Sequence, residues 1–151
     1  MKKNHILNLL VLFLFANVFT AFTTLGNNPD DIVGTWLTAG DDNGKVEIFK
    51  SNGKYYGKIV WLKNPIRDGG IALDVNNPDK SKHKNPIIGL QIISSFVFNA
   101  DENIWENGKI YDPESGKTYS CNIKKEGNKL KVRGYIGFSL LGRTEIWTKV
   151  N

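Results

Sequence analysis

The feature that most constrains this chain is an alternation of apolar and polar residues, cut at short intervals by turn signals. From about residue 32 onward the alternation recurs, and no stretch carries a convincing 3.6-residue period. Period two sends successive side chains to opposite faces of a strand. The bounding turns are Asp41-Asp42-Asn43-Gly44, Ser51-Asn52-Gly53, Pro113-Glu114-Ser115-Gly116 and Glu126-Gly127-Asn128. Asn-Gly is the strongest of these signals, because both residues accept positive φ. The pattern predicts strands at about 32–39, 45–50, 54–63, 90–98, 108–112, 117–125, 129–137 and 143–150.

Strands this short bury nothing alone, and an open sheet leaves two edges to manage. Closing them in up-and-down order removes both edges. The expected fold is therefore all-β: a single eight-stranded, up-and-down antiparallel β-barrel. A β-sandwich of similar strand count is the alternative, and the short consecutive links favour the barrel. The two ends of the chain also carry matching residues. Gly34-Thr35-Trp36 heads the first run, and Gly142-Arg143 through Trp147 opens the last. Glycine lets the chain approach closely, an indole fills the barrel floor, and a cation lies over its face.

One link breaks the pattern. Residues 64–89 contain Pro65, Pro78, Pro86 and Gly69-Gly70. A connection this long, well past the usual ~12–15 residues, suggests a functional loop. It is expected to cover the barrel mouth as a lid, with Ile87 and Ile88 anchoring its end and Gly69-Gly70 as its mobile part.

Residues 1–26 do not read as fold. Lys2 and Lys3 precede an apolar run over 6–22, interrupted by Asn8 and Asn17, and small or polar residues follow. That order reads as a secretory signal peptide, with a retained anchor as the alternative. The domains are then 1–26, signal peptide, and 27–151, β-barrel, in an exported, periplasmic or secreted protein. Cleavage removes two lysines and no acid, lowering the formal charge from +5 to +3. Such a charge is weak support for nucleic acid or anionic lipid as a partner, and no nucleic acid is expected. The lone Cys121 permits no internal disulfide, and its alternation with Tyr119 and Ile123 places it inside.

Gly34-Thr35-Trp36 resembles the opening strand of lipocalin and avidin barrels, and Glu145-Ile146-Trp147-Thr148-Lys149-Val150 is similar to the closing strand of avidin-type proteins. Across the mature chain there is a wider resemblance, to uncharacterised secreted bacterial proteins that form a domain family of unknown function. It is carried by Gly34-Thr35-Trp36, Tyr55 through Trp61, Asp74-Val75-Asn76-Asn77-Pro78-Asp79, Pro86-Ile87-Ile88-Gly89-Leu90, Gly108 through Pro113, Gly116-Lys117-Thr118-Tyr119, Leu130 through Tyr135 and Gly142-Arg143 to Trp147. The family tends to carry arginines before its Pro-apolar-apolar-Gly, where this chain has Lys82, His83, Lys84 and Asn85. The resemblance implies a calycin-like barrel and no activity.

The candidate ligand-binding residues are Trp36, Tyr55, Trp61, Tyr119, Arg143, Glu145 and Trp147. The aromatics either line a small-molecule pocket or fill the barrel as core. The last run has two registers, one turning Arg143, Glu145 and Trp147 inward and the other Thr144, Ile146 and Thr148. In the first, Arg143 and Glu145 form a floor ion pair or offer one group to a ligand. Asp74, Asn76, Asn77 and Asp79 suggest calcium, but Pro78 and Asp79 break the EF-hand template, and turn chemistry suits them better. His83 with a distant Cys121 cannot build a zinc site. No nucleophile–base pair is discernible. The expectation is a non-enzyme without metal or cofactor, taking a small apolar or amphiphilic ligand. The alternative is an envelope protein–protein interaction module with a filled barrel.

Overall fold

The computed structural model describes residues 26–41 and 43–150; most of the expected leader lies outside the described residues. Among the described residues ten strands occur: β1 (Gly34–Leu37), β2 (Gly44–Ser51), β3 (Lys54–Leu62), β4 (Ile66–Arg67), β5 (Gly70–Ile71), β6 (Gln91–Asn99), β7 (Ile104–Asp112), β8 (Lys117–Glu126), β9 (Lys129–Tyr135) and β10 (Gly142–Lys149). All but β4 and β5 close one antiparallel barrel, in which every strand pairs with its sequence neighbours and β10 returns to β1. The closure is short, Trp36 opposite Lys149 and Leu37 opposite Thr148. Among the described residues no helix is long and apolar enough to cross a membrane.

One end is packed solid. Trp36, Tyr55, Phe96, Trp105, Ile123 and Leu130 are all buried there. Tyr55 meets Trp105 edge-on, ring centroids 6.5 Å apart, a preferred aromatic geometry. The N-terminal segment seals this floor through a single turn at Pro29–Ile32. Asn28 caps that turn by accepting from the Asp30 amide, and Asp31 accepts in return from the Asn28 amide. The turn's carbonyls serve the buried indoles: Trp36 Nε1 donates to Ile32 O at 2.7 Å, and Trp105 Nε1 to Pro29 O at 2.9 Å. Asp30 receives Lys50 and the Tyr55 hydroxyl, each at 2.6 Å, and these bonds hold its carboxyl below its usual range.

The cation over the floor indole is Lys149. Its Nζ lies 4.5 Å from the Trp36 ring centroid and donates to Val33 O at 2.7 Å. Burial lowers the pKa of its ammonium. Gly34 makes this approach possible. Its φ is +122°, and a Cβ there would stand 2.5 Å from Lys149 Nζ.

Two strands depart from plain alternation through bulges. The run expected at about 108–112 extends back to Ile104. Asn107-Gly108 lies at a bulge: Asn107 has φ 60°, and the β7–β8 register shifts between Trp105 and Gly108. Gly108 is needed because a Cβ would fall 2.1 Å from the Phe96 ring. In β3, Ile59 faces Val46 while Trp61 faces Lys45, so Val60 is the extra residue. The phase inverts, and Leu62 enters the barrel instead of Trp61.

The 64–89 segment is only in part the lid expected of it. β4 and β5 form a hairpin through Asp68 and Gly69, both at positive φ. Leu73 then bridges Pro86, Ile87 N donates to Ala72 O, and Gly89 N donates to Ile59 O. Ala72, Asp74 and Ile87 are buried, so this stretch belongs to the core. Ile88 is exposed, since it lies in a turn in which Leu90 N donates to Ile87 O at 3.1 Å, and Ile87 alone points inward. Asn77 and Asp79 do turn chemistry: Asn77 Oδ1 accepts from Asp79 N, and Asp79 accepts from Ser81.

Trp36 is fully buried and hydrogen-bonded at the floor. Trp36→Ala is expected to cost ~3–5 kcal/mol, seen as a lowered urea midpoint. A loss under about 1 kcal/mol would mean the floor does not depend on it.

Candidate functional site

Above the floor the barrel is open. A cavity of about 680 Å³ runs from Trp147 to a rim that includes Thr38, Arg67, Pro113, Ile136 and Leu141. Its walls are apolar: Val46, Ile59, Leu62, Ile92, Ile110 and Val132, with Ile87 contributed by the long segment. The space exists partly because β9 offers Gly134 to the cavity wall. A Cβ there would meet Ile110 and Tyr119 only at 3.6 Å, ordinary van der Waals contact. Fewer wall atoms leave room that the aromatics of the other end do not.

The rim is polar. Tyr111, Tyr119 and Tyr135 reach it from three consecutive strands. Arg67 from β4 pairs with Glu114 at 2.5 Å, tying the β4–β5 hairpin to the β7–β8 turn. Arg143 is 88% exposed and stands 4.0 Å from Glu145, a weak pair that leaves its guanidinium available. Glu145 also accepts from Trp147 Nε1 at 3.4 Å.

Tyr111 is fixed from behind. Its hydroxyl donates to Asp74 Oδ1 at 2.6 Å, and Asn77 Nδ2 donates to Asp74 Oδ2 at 2.6 Å. Asp74 is fully buried, so both oxygens need such donors. Burial first, and the bond to Asp74 second, push the Tyr111 phenol up to about 12. Cys121, sealed in the core, is likewise pushed up to about 12 by burial, which suppresses its reactivity.

The expected site residues divide into three places. Tyr119, Arg143, Glu145 and Trp147 line the cup, so β10 adopts the register with Arg143, Glu145 and Trp147 inward. The Arg143–Glu145 pair sits near the rim, not on the floor. Trp36 and Tyr55 lie in the packed floor beneath the cup. Trp61 is on the outer surface, 40% exposed, with Lys45 Nζ 5.2 Å from its ring; the β3 bulge puts it there. Sequence reasoning missed Tyr111, Tyr135, Ile110, Val132 and the Arg67–Glu114 tie. Val132 and Gly134 follow from the alternation of β9 once Leu130 is known to face inward. Tyr111 had no such signal, since its partner Asp74 is remote in sequence.

Tyr111→Phe is expected to lower stability by ~1–3 kcal/mol, because a buried carboxylate loses a donor. The alkaline behaviour carries the same contact. The folded phenol ionises near 12 against an ordinary 10.0, so its contribution is complete below 10 and lost as pH rises toward about 12. Tyr55 is shifted in the same direction, so Tyr111→Phe should shrink this alkaline loss without abolishing it. Identical stability–pH profiles for the two proteins would contradict the contact.

The family model described as an uncharacterized protein conserved in bacteria (DUF2147) matches residues 34–149. No curated protein matches the sequence. Among solved structures, protein HP1028 from the human pathogen Helicobacter pylori, described as belonging to the lipocalin family, superposes with a TM-score of 0.71. The two are 21% identical, and the match covers 80% of this chain and 84% of that one. The likeness supports a lipocalin-like barrel and, at this identity, speaks to fold alone.

Proposed function

The chain belongs to the bacterial family DUF2147, and from the cup this member carries we propose that it binds a small amphiphilic molecule outside the cytoplasm. The observation that carries the reading is a cavity of about 680 Å³ above a sealed floor. That volume lies within the ~300–1,000 Å³ of small-molecule sites. A filled barrel, the basis of the interaction-module alternative, leaves no such space. Apolar walls suit an alkyl or ring body lowered toward Trp147, and the tyrosines and Arg143 at the rim suit a polar or anionic head.

Binding, not catalysis, is the role this arrangement supports. Two pairs of titratable groups at the cup are engaged in structural contacts, Tyr111 with Asp74 and Arg67 with Glu114. Tyr111 donates to a carboxylate, but its phenol is pushed up to about 12, which opposes its use as a nucleophile. Export rests on the leader of residues 1–26. The mature protein isolated from its host should begin between about Phe22 and Asn28. Recovery of a chain starting at Met1 would count against export.

The cup is tested by titration with parinaric acid, a fluorescent amphiphile with a carboxylate head. The wild type should bind saturably. Gly134→Leu places a side chain in the cup from a position where Cβ fits, and should weaken binding by about tenfold or more. Its melting temperature should stay near that of the wild type. No saturable binding, or unchanged affinity in Gly134→Leu, would refute the reading.

A further inference from the structure

The link from β9 to β10, residues 136–141, carries no charge, and its large side chains point into solvent. Ile136 is 68% exposed, Phe138 79%, Leu140 89% and Leu141 79%. Isolated apolar residues on a surface need no explanation, but a contiguous set marks an interaction site. We propose that this tip is a wedge that seats the open end of the barrel in the interfacial region of a phospholipid bilayer.

Three carbonyls of the tip, those of Phe138, Ser139 and Leu140, are bonded within the protein. A carbonyl left unbonded in hydrocarbon costs several kcal/mol in general. Arg133 answers this from the neighbouring strand: its Nε donates to Ser139 O at 2.8 Å and its Nη2 to Leu140 O at 3.2 Å. Its Nη1 donates to Thr144 Oγ1 at 2.9 Å, which holds the guanidinium in place. Leu141 N donates to Phe138 O at 3.1 Å, closing the short turn at Ser139–Leu141. Gly137, at φ +71°, supplies the bend that turns the side chains outward.

The base of the wedge carries the matching charge. Arg143 follows the tip after Gly142 and is 88% exposed. An arginine just behind an inserted apolar tip sits at the depth of lipid phosphates, which it binds by charge-assisted hydrogen bonds. Size also separates a bilayer from a protein partner. A stable protein interface needs ~800 Å² from each side, far more than a six-residue tip presents. A bilayer accepts a small inserted tip, because each apolar group adds its own transfer free energy.

The wedge is continuous with the cup. Ile136 and Leu141 belong to both the tip and the cavity mouth. An amphiphile leaving the bilayer beside the tip therefore reaches the cup past apolar side chains, without crossing open water. This last step rests on the proposed function; membrane docking itself does not.

Co-sedimentation with vesicles of phosphatidylethanolamine and phosphatidylglycerol tests the docking. The wild type should bind, and the double variant Phe138→Asp with Leu140→Asp should partition about tenfold or more weakly. Gly134→Leu should bind vesicles like the wild type, so failure of the cup and failure of the wedge are told apart. A second readout uses Phe138→Trp: relative to the wild type, its added emission should shift to the blue and be quenched by lipids brominated along the acyl chain. No vesicle binding overturns the proposal. So does binding that survives the double aspartate variant, or Phe138→Trp emission that vesicles leave unchanged. Self-association abolished by the aspartates, without vesicle binding, assigns the tip to a second copy and overturns it equally.

Discussion

The cup depends on how the barrel is closed beneath it. β1 contributes only Gly34–Leu37 and meets β10 over a two-residue register, so the backbone seam is short. Side chains complete it. Trp36 spans the seam, Lys149 reaches across it to the indole face and to Val33 O, and the turn at Pro29–Ile32 takes the indole hydrogen bonds. The cation–π contact contributes on the order of 0.5–2 kcal/mol, the larger figure applying when it is desolvated. The burial of Trp36 contributes several kcal/mol more, ~3–5 by analogy with aromatic deletions in other cores. Without that seal the barrel would gain edges at β1 and β10 and admit water from below.

Given the seal, the two ends of one barrel take opposite fillings. The lower end is filled by large rings, and Gly108 makes room for Phe96 there. The upper end is lined by aliphatic side chains and Gly134, and it stays open. The long segment between β3 and β6 then serves two purposes. Ala72, Asp74 and Ile87 extend the core and brace Tyr111, while Arg67 and the β4–β5 hairpin raise the rim. The β9–β10 tip lies across the same mouth, so the apolar face of the cup continues onto the outer surface through Ile136 and Leu141.

Much of this was legible in the residues. Period-two alternation with hairpin turns led to an eight-stranded barrel, and the matched chain ends led to Trp36 as the floor. The inward set of β10, with Arg143, Glu145 and Trp147, was one of two open registers, because alternation alone cannot choose between mixed faces. Bulges hid the rest. Val60 inverts the phase of β3 and sends Trp61 outside, and Asn107-Gly108 lies at a bulge in the middle of β7. Neither is visible to a strict period of two. The Tyr111–Asp74 contact joins residues that only the folded long segment brings together, and local pattern carries no trace of it. A cation over the floor indole follows from the matched chain ends; Lys149 fills that role while Arg143 sits at the rim.

A sealed floor, apolar walls and a polar rim together describe a vessel, and the direct check is whether it arrives loaded. Native mass spectrometry of the protein purified from its own host, without detergent, measures this on the intact chain. A loaded cup predicts a discrete excess mass of one small molecule, removed by organic extraction and missing from Gly134→Leu prepared the same way. A wild-type protein that shows only the mass of its polypeptide under those conditions would contradict it.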